Sequence, residues 1–297
     1  MIALGNYNTL TIDHRAEHGL YLRGDALSGD ILMPNRYVTA SMRIGDAVRV
    51  FVYLDQDERL IATTETPLAT VGQFAFLRVA WTNKFGAFLH WGLLKDLFCP
   101  FREQKQPMQR GKGYIVYVKE DEESHRLMAT AKVERYFEPC QVGGSGSVVH
   151  GSAVECLVWQ KTDLGFKAIV RSPSAVGVDA GDAPRPWWQG QLYDNQVFRP
   201  LRTGDAVTAY VDHVRQDGKI DLMLQPTGHV HTLDFAETLL RYLHDNGGRC
   251  ELGDKSDAEL VYDRFKVSKK TFKKAIGDLY RRRLIVLDAA GGIRLAP

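Results

Sequence analysis

Three aromatic side chains stand within one ten-residue run, NKFGAFLHWG at 83–92: Phe85, Phe88 and Trp91, with Lys84 among them and Lys95, Arg102 and Lys105 following. Aromatic faces stack on unpaired bases and nearby cations meet phosphates, so this combination suits single-stranded nucleic acid. The competing reading is that the rings are core residues of a bent strand. Phe85 and Phe88 are three apart, and a regular strand would send them to opposite faces. Only a bulge or sharp bend at Gly86 brings them together, and glycine permits that.

A second constellation is electrostatic. Between 264 and 283 lie nine basic residues, Arg264, Lys266, Lys269, Lys270, Lys273, Lys274, Arg281, Arg282 and Arg283, against one acid, Asp278. On a helix this is either a solvated outer face or a surface for phosphates, as in helix-turn-helix recognition helices. Residue types alone do not choose between RNA and DNA.

Catalytic motifs are missing from the sequence. It holds no P-loop, H-E-x-x-H or G-x-S-x-G. Cys99, Cys140, Cys156 and Cys250 are scattered without a C-x-x-C pair, which predicts neither a zinc site nor a disulfide framework and fits a reducing cytoplasm. His229 and His231 fall at a domain junction and read as linker. No enzyme activity, metal or cofactor is expected. The opening residues MIALGNYNTL lack the cationic start and apolar core of an export signal, and no apolar run approaches membrane-spanning length.

The elements that must carry these residues emerge from internal repetition. GDAVRVFVYLDQDERLIAT (45–63), GKGYIVYVKEDEESHRLMAT (111–130) and GDAVTAYVDHVRQDGKIDLML (204–224) each run from glycine into an alternating strand, a polar turn and a second apolar strand, the pattern of a hairpin. Pro34, Pro100 and Tyr193 each stand 11 residues before the opening glycine. Farther upstream, HGLYLRG, FGAFLHWG and LGFKAIV place Gly19, Gly86 and Gly165 ahead of alternating apolar residues. Each repeat reads as five short strands, the size of an OB-type barrel, with the upstream glycine as a barrel corner. The predicted domains are 1–67, 68–140 and 141–230, the last with a loop insertion at 172–188 that contains Trp187 and Trp188. That pair either anchors the loop or offers another stacking surface. The segments carry net charges of −3, +3 and −1, and 231–297 carries +3.

After Pro226 the apolar period lengthens to that of a helix. Asp234 to Glu237 and Ser256 to Glu259 fit capping boxes, and Ser268 caps a third helix whose Phe272, Ile276, Leu279 and Tyr280 face inward. Strands at 284–288 and 293–296 follow. Three helices and a hairpin predict a winged helix over 231–297. The fold class is mainly β, three tandem OB-type barrels, with an α+β domain at the C-terminus.

The glycine-centred FGAF strand, the later acid-x-x-x-Arg turn (Asp55 to Arg59, Glu122 to Arg126) and the closing apolar strand resemble S1-type RNA-binding domains. Three such domains followed by a winged helix resemble the bacterial conserved virulence factor B family. The resemblance implies base stacking by Phe85 and Phe88. Repeat 1 has His18 and Tyr21 at these places and repeat 3 has Leu164 and Lys167, so only repeat 2 keeps the aromatic pair. The basic residue of the later turn would be Arg59, Arg126 or Lys219. The expected nucleic-acid-binding residues are Lys84, Phe85, Phe88, Trp91, Arg102, Arg126, Lys269, Lys270, Lys273, Lys274, Arg281 and Arg282. The expected partner is RNA, single-stranded, in a cytoplasmic regulator of RNA turnover or translation. Two alternatives stay open: a transcriptional regulator that reads duplex DNA through the winged helix, and a protein-interaction scaffold.

Overall fold

The computed structural model describes residues 1–141, 148–171, 186–194, 197, 200–225, 229–265, 267–288 and 291–296. Two compact units make up the chain, one holding Met1–Phe137 and the other Glu138–Pro173 with Pro186–Pro297. Most of the insertion expected at 172–188 lies outside the described residues.

Alternating apolar residues close three five-stranded barrels. Barrel 1 comprises β1 (Asn6–Ala16), β2 (Gly19–Leu22), β3 (Ile31–Pro34), β4 (Ala47–Leu54) and β5 (Leu60–Thr63). Barrel 2 repeats the plan with β6 (Phe74–Thr82), β7 (Gly86–His90), β8 (Leu97–Pro100), β9 (Gly113–Glu120) and β10 (Leu127–Thr130). Barrel 3 has β11 (Ala153–Thr162), β12 (Gly165–Arg171), β13 (Trp188–Tyr193), β14 (Ala206–Val214) and β15 (Ile220–Met223). Barrels 1 and 3 each run first-second-third-fifth-fourth strand around the closed sheet, and barrel 2 closes in the same cyclic order.

The repeat landmarks coincide in register. Gly19 pairs with Pro34, Gly86 with Pro100 and Gly165 with Tyr193. The opening glycines Gly45, Gly111 and Gly204 donate N–H bonds of 2.8 Å to Ile12, Val79 and Val158, which hold matching places in the first strands.

Gly86 has a steric reason to be glycine. A Cβ there would stand 2.3 Å from the Cys99 carbonyl oxygen and 2.8 Å from the Pro100 Cα, both backbone atoms of β8 that cannot swing away. Gly19 and Gly165 meet the neighbouring strand in the same way, each 2.1 Å from a carbonyl oxygen. Gly86→Ala is therefore expected to destabilise barrel 2 by about 1–3 kcal/mol or more, as an overpacked core does. An unchanged denaturation midpoint would refute this account of the glycine.

Barrels 1 and 2 share one apolar cluster. Phe51 and Tyr53 of β4 pack with Leu77, Leu89 and Trp91 of barrel 2, and the Phe51 and Trp91 rings meet edge to face at 5.8 Å. The Val71 N–H also donates to the Gly5 carbonyl at 2.9 Å. A common core across the junction makes the pair one rigid support.

The C-terminal domain has three helices, α1 (His229–Asp245), α2 (Ala258–Phe265) and α3 (Lys269–Arg281), and a small sheet ordered β16 (Arg249–Cys250), β18 (Ile293–Leu295), β17 (Ile285–Leu287). Its core holds Phe235, Leu239, Leu243, Val261, Phe272, Ile276 and Leu279. Four details differ from the sequence reading. Helix α2 begins at Ala258, its first bond running from the Val261 N–H to the Asp257 carbonyl, and Ser256 Oγ accepts from the Gly253 N–H at 2.9 Å, so Ser256 is no cap. Helix α1 begins at His229, so Asp234 lies inside it and is no cap; no glycine or proline interrupts 229–237, and the helix runs on backward through the supposed linker. Tyr280 is 54% exposed instead of inward. A third strand, β16, joins the hairpin. The Ser268 cap is as expected, its Oγ accepting from the Thr271 N–H at 3.0 Å.

Candidate nucleic-acid interface

A turn delivers the first phenylalanine. Asn83 Oδ1 accepts from the N–H groups of Phe85 (2.8 Å) and Gly86 (3.2 Å), the local bond that makes asparagine a turn former. Phe85 thus stands in the turn before β7 and escapes strand alternation. It is 61% exposed, with the Lys84 ammonium 5.0 Å from its ring centroid.

A bulge delivers its partner ring. The pairing of β6 with β7 slips between Val79 and Trp81, leaving Ala80 as the extra residue and setting Trp81 opposite Phe88. The Trp81 and Phe88 rings lie 3.7 Å apart and 3° from parallel, and Phe98 of β8 continues the row at 4.9 Å from Phe88. Trp81 Nε1–H donates to Asp96 Oδ2 at 3.0 Å, fixing the indole, which is 43% exposed. The bend expected at Gly86 is therefore an Asx turn on one side and a bulge in the facing strand on the other.

These rings line a groove of about 940 Å³ whose other wall is barrel 1: Tyr53, Leu54, Gln56 and Glu58. A cavity of this size falls in the range of ligand clefts, apolar with a few convergent polar groups. Lys95 Nζ, partly buried, donates to the carbonyls of Leu54 (3.1 Å) and Asp55 (2.7 Å), and burial pulls its ammonium below the ordinary lysine value. Arg102 pairs with Asp121 Oδ1 at 3.1 Å. The Asp121 carboxyl is held below the usual aspartate value by the Ser124 hydroxyl, with the Arg102 charge adding to it. Arg126 pairs with Glu58 across the barrel junction, and Lys105 with Glu134 outside the groove.

Two expectations are corrected here. Trp91 is not a surface ring: it is 2% exposed, sits in the shared core and donates Nε1–H to the Lys95 carbonyl at 2.6 Å. The period of β7 carries past the strand's end: Ala87, Leu89, Trp91 and Leu93 are all buried, so Trp91 points to the opposite side from Phe88. The acid that begins the later turn in barrel 2 is Asp121, one residue before Glu122. Its N–H bonds the Arg126 carbonyl at 2.8 Å, as the Asp55 N–H bonds the Arg59 carbonyl at 2.9 Å in barrel 1.

The other barrels carry the same bulge with different residues. In barrel 1 it falls between Ile12 and His14, and the His14 and Tyr21 rings stack at 4.8 Å and 4°. In barrel 3 it falls between Val158 and Gln160, and the row reads Gln160, Lys167, Gln191. Of the adjacent tryptophans, Trp188 is 3% exposed in the barrel 3 core, and Trp187 has the Arg171 guanidinium 4.5 Å from its ring. The sequence reading missed Trp81, Phe98 and His14, because a one-residue bulge has no signature in residue types.

On α3, Lys270, Lys273, Lys274, Arg281 and Arg282 are exposed and Lys269 is half-buried. Arg281 and Arg282 both lean on Asp278. The four lysines make no ion pair among the described residues. Gly277 lies on their face, where a Cβ would meet nothing within 4 Å.

Asp13, His14 and Asp30 in barrel 1 lie within reach of a common ion, but Asp13 is engaged by Arg23 at 2.7 Å. The four cysteines are buried free thiols, and burial pushes Cys99 up to about 12. Among the described residues no helix is long and apolar enough to cross a membrane.

Two of the domains match known families. Residues 4–65, barrel 1, match the S1 domain, and residues 237–295 match the CvfB-like winged helix domain. YitL of Bacillus subtilis is 27% identical over 283 residues, 93% of this chain and 89% of that one. Conserved virulence factor B of Staphylococcus aureus is 22% identical over 254 residues, covering 83% and 79%. A crystal structure of a multidomain protein with nucleic acid binding domains from Streptococcus pneumoniae aligns over 98% of both chains at 21% identity and a TM-score of 0.42. The likeness to conserved virulence factor B read from the sequence thus holds for both domain types.

Proposed function

We propose that this chain, which carries the S1 and winged helix domains of the conserved virulence factor B kind, binds single-stranded RNA and acts by binding, with no catalysis, on RNA turnover or translation. The observation that carries the proposal is the parallel, stacked Trp81–Phe88 pair, which lines one groove together with Phe85. Stacking on flat rings is sequence-tolerant and needs unpaired bases, which favours a single strand over a duplex. Helix α3 adds phosphate contacts through Lys269, Lys270, Lys273 and Lys274. The four reduced, buried cysteines fit a cytoplasmic setting.

A second reading has its own support. The lysines of α3, which make no ion pair among the described residues, lie on one face of the helix that enters the major groove in helix-turn-helix proteins, and this favours duplex DNA. Competition at one fixed salt concentration among single-stranded RNA, single-stranded DNA and duplex DNA separates the two. The first reading expects the single strands to win, with RNA ahead. A strong, sequence-dependent duplex preference overturns it in favour of the second.

A further inference from the structure

The groove belongs to both barrels, and its cations already have partners. Among its lining residues, Lys95, Arg102 and Arg126 balance Glu58, Asp96 and Asp121, so the walls carry no net charge. Lys95 is engaged by two carbonyls of the β4–β5 turn, and Arg102 by Asp121. Arg126 reaches across to Glu58, which is half exposed.

The turn that presents Glu58 is built to hold it there. Asp55 Oδ1 accepts from the N–H groups of Asp57 and Arg59, each at 2.9 Å, and Oδ2 takes the Arg59 guanidinium at 2.8 and 3.0 Å. Lys95 then pins the turn to barrel 2. Glu58 itself has φ 65°, a left-handed conformation that glycine adopts without cost and most other residues avoid. A charged side chain therefore occupies a site where the backbone alone would prefer glycine.

The geometry points to Glu58 as an affinity-setting residue: barrel 1 lends barrel 2 a carboxylate that competes with the phosphate of a bound single strand for Arg126. This rests on the proposed binding of single strands in the groove. Because the pair is solvent-exposed it is weak, so a phosphate can displace it. The strand is then held chiefly by stacking, and Arg126 contributes only the surplus of phosphate over carboxylate.

The test uses the full chain and a short single-stranded RNA oligomer, titrated at several salt concentrations. Glu58→Gln keeps the side chain's shape and removes its charge. It is expected to tighten binding by roughly three- to fivefold at low salt, the scale of one exposed charge pair, and to steepen the logarithmic salt slope by up to about 0.7. In an Arg126→Gln background the gain should vanish. Unchanged or weaker binding by Glu58→Gln overturns the inference, as does a gain that survives Arg126→Gln. A Phe88→Ala arm separates the two levels. If it weakens binding while Glu58→Gln does nothing, only the role of Glu58 falls. If it leaves binding unchanged, the groove is not the site, and both readings fall. Thermal midpoints of all variants confirm that each is folded.

Discussion

Alanine at Phe85 and Phe88 weakens single-stranded RNA binding by about 1–3 kcal/mol for each base that loses its stack. The two positions do not report equally cleanly. Phe85 is 61% exposed and held by its turn through backbone N–H groups, so truncating its ring removes stacking surface with little effect on the fold. Phe88 lies between Trp81 and Phe98. Its removal also loosens the indole, and part of any loss there reflects a disordered platform. The double variant is expected to lose more than either single one but less than their sum, since Phe85 and the row that Phe88 holds in place line one groove and their effects couple. Equal affinity for folded double mutant and wild type would remove the stacking role.

Glutamine at Lys269, Lys270, Lys273 and Lys274 flattens the salt dependence of binding. Each lysine–phosphate pair releases counterions and adds roughly 0.7 to the logarithmic slope for single strands, or roughly 0.9 for duplex. Removing all four ammonium groups lowers the slope by up to about 3. The helix should survive, because glutamine and lysine have similar helix propensities and the buried face of Phe272, Ala275, Ile276 and Leu279 is untouched. Gly277 on the same face as the lysines leaves the helix backbone open to close approach, at a cost of about 1 kcal/mol relative to alanine. The contrast with the groove is electrostatic. Its two arginines are ion-paired and Lys95 is bonded to two carbonyls, whereas the lysines of α3 make no ion pair among the described residues, so the groove supplies affinity that survives salt and α3 supplies affinity that salt removes. A slope unchanged in the glutamine variant would make the basic face a solubilising surface only.

The barrels were legible because backbone requirements leave marks in residue type. Glycine recurs wherever a strand must pass within 2.3 Å of where a Cβ would sit, and the spacing from Pro34 to Gly45 returns from Pro100 to Gly111. The helical domain was legible through period and capping, with α3 and Ser268 the clearest case. Helix α1 was read short because Asp234 resembles a cap, and a helix interior accepts aspartate at modest cost. The site was only half legible. Phe85 and Phe88 could be named, but their convergence depends on an Asx turn and on a bulge at Ala80 that any small residue would allow. Trp81 became a partner of Phe88 only through that slip in register. Trp91 was misplaced because it was grouped with the nearby phenylalanines by residue type, whereas the alternation from Ala87 through Leu89 already turns it to the core. The groove itself is a property of two packed barrels, and no single repeat contains it.

The most direct test of base stacking in the groove between barrels 1 and 2 is one salt titration of single-stranded RNA binding. It compares the full chain, the Phe85/Phe88 double alanine variant and the four-lysine glutamine variant. The expected result is two distinct defects: the aromatic variant gives a line parallel to wild type but displaced to weaker binding at every salt concentration, and the lysine variant gives a flatter line. An aromatic variant whose line coincides with wild type would contradict the account.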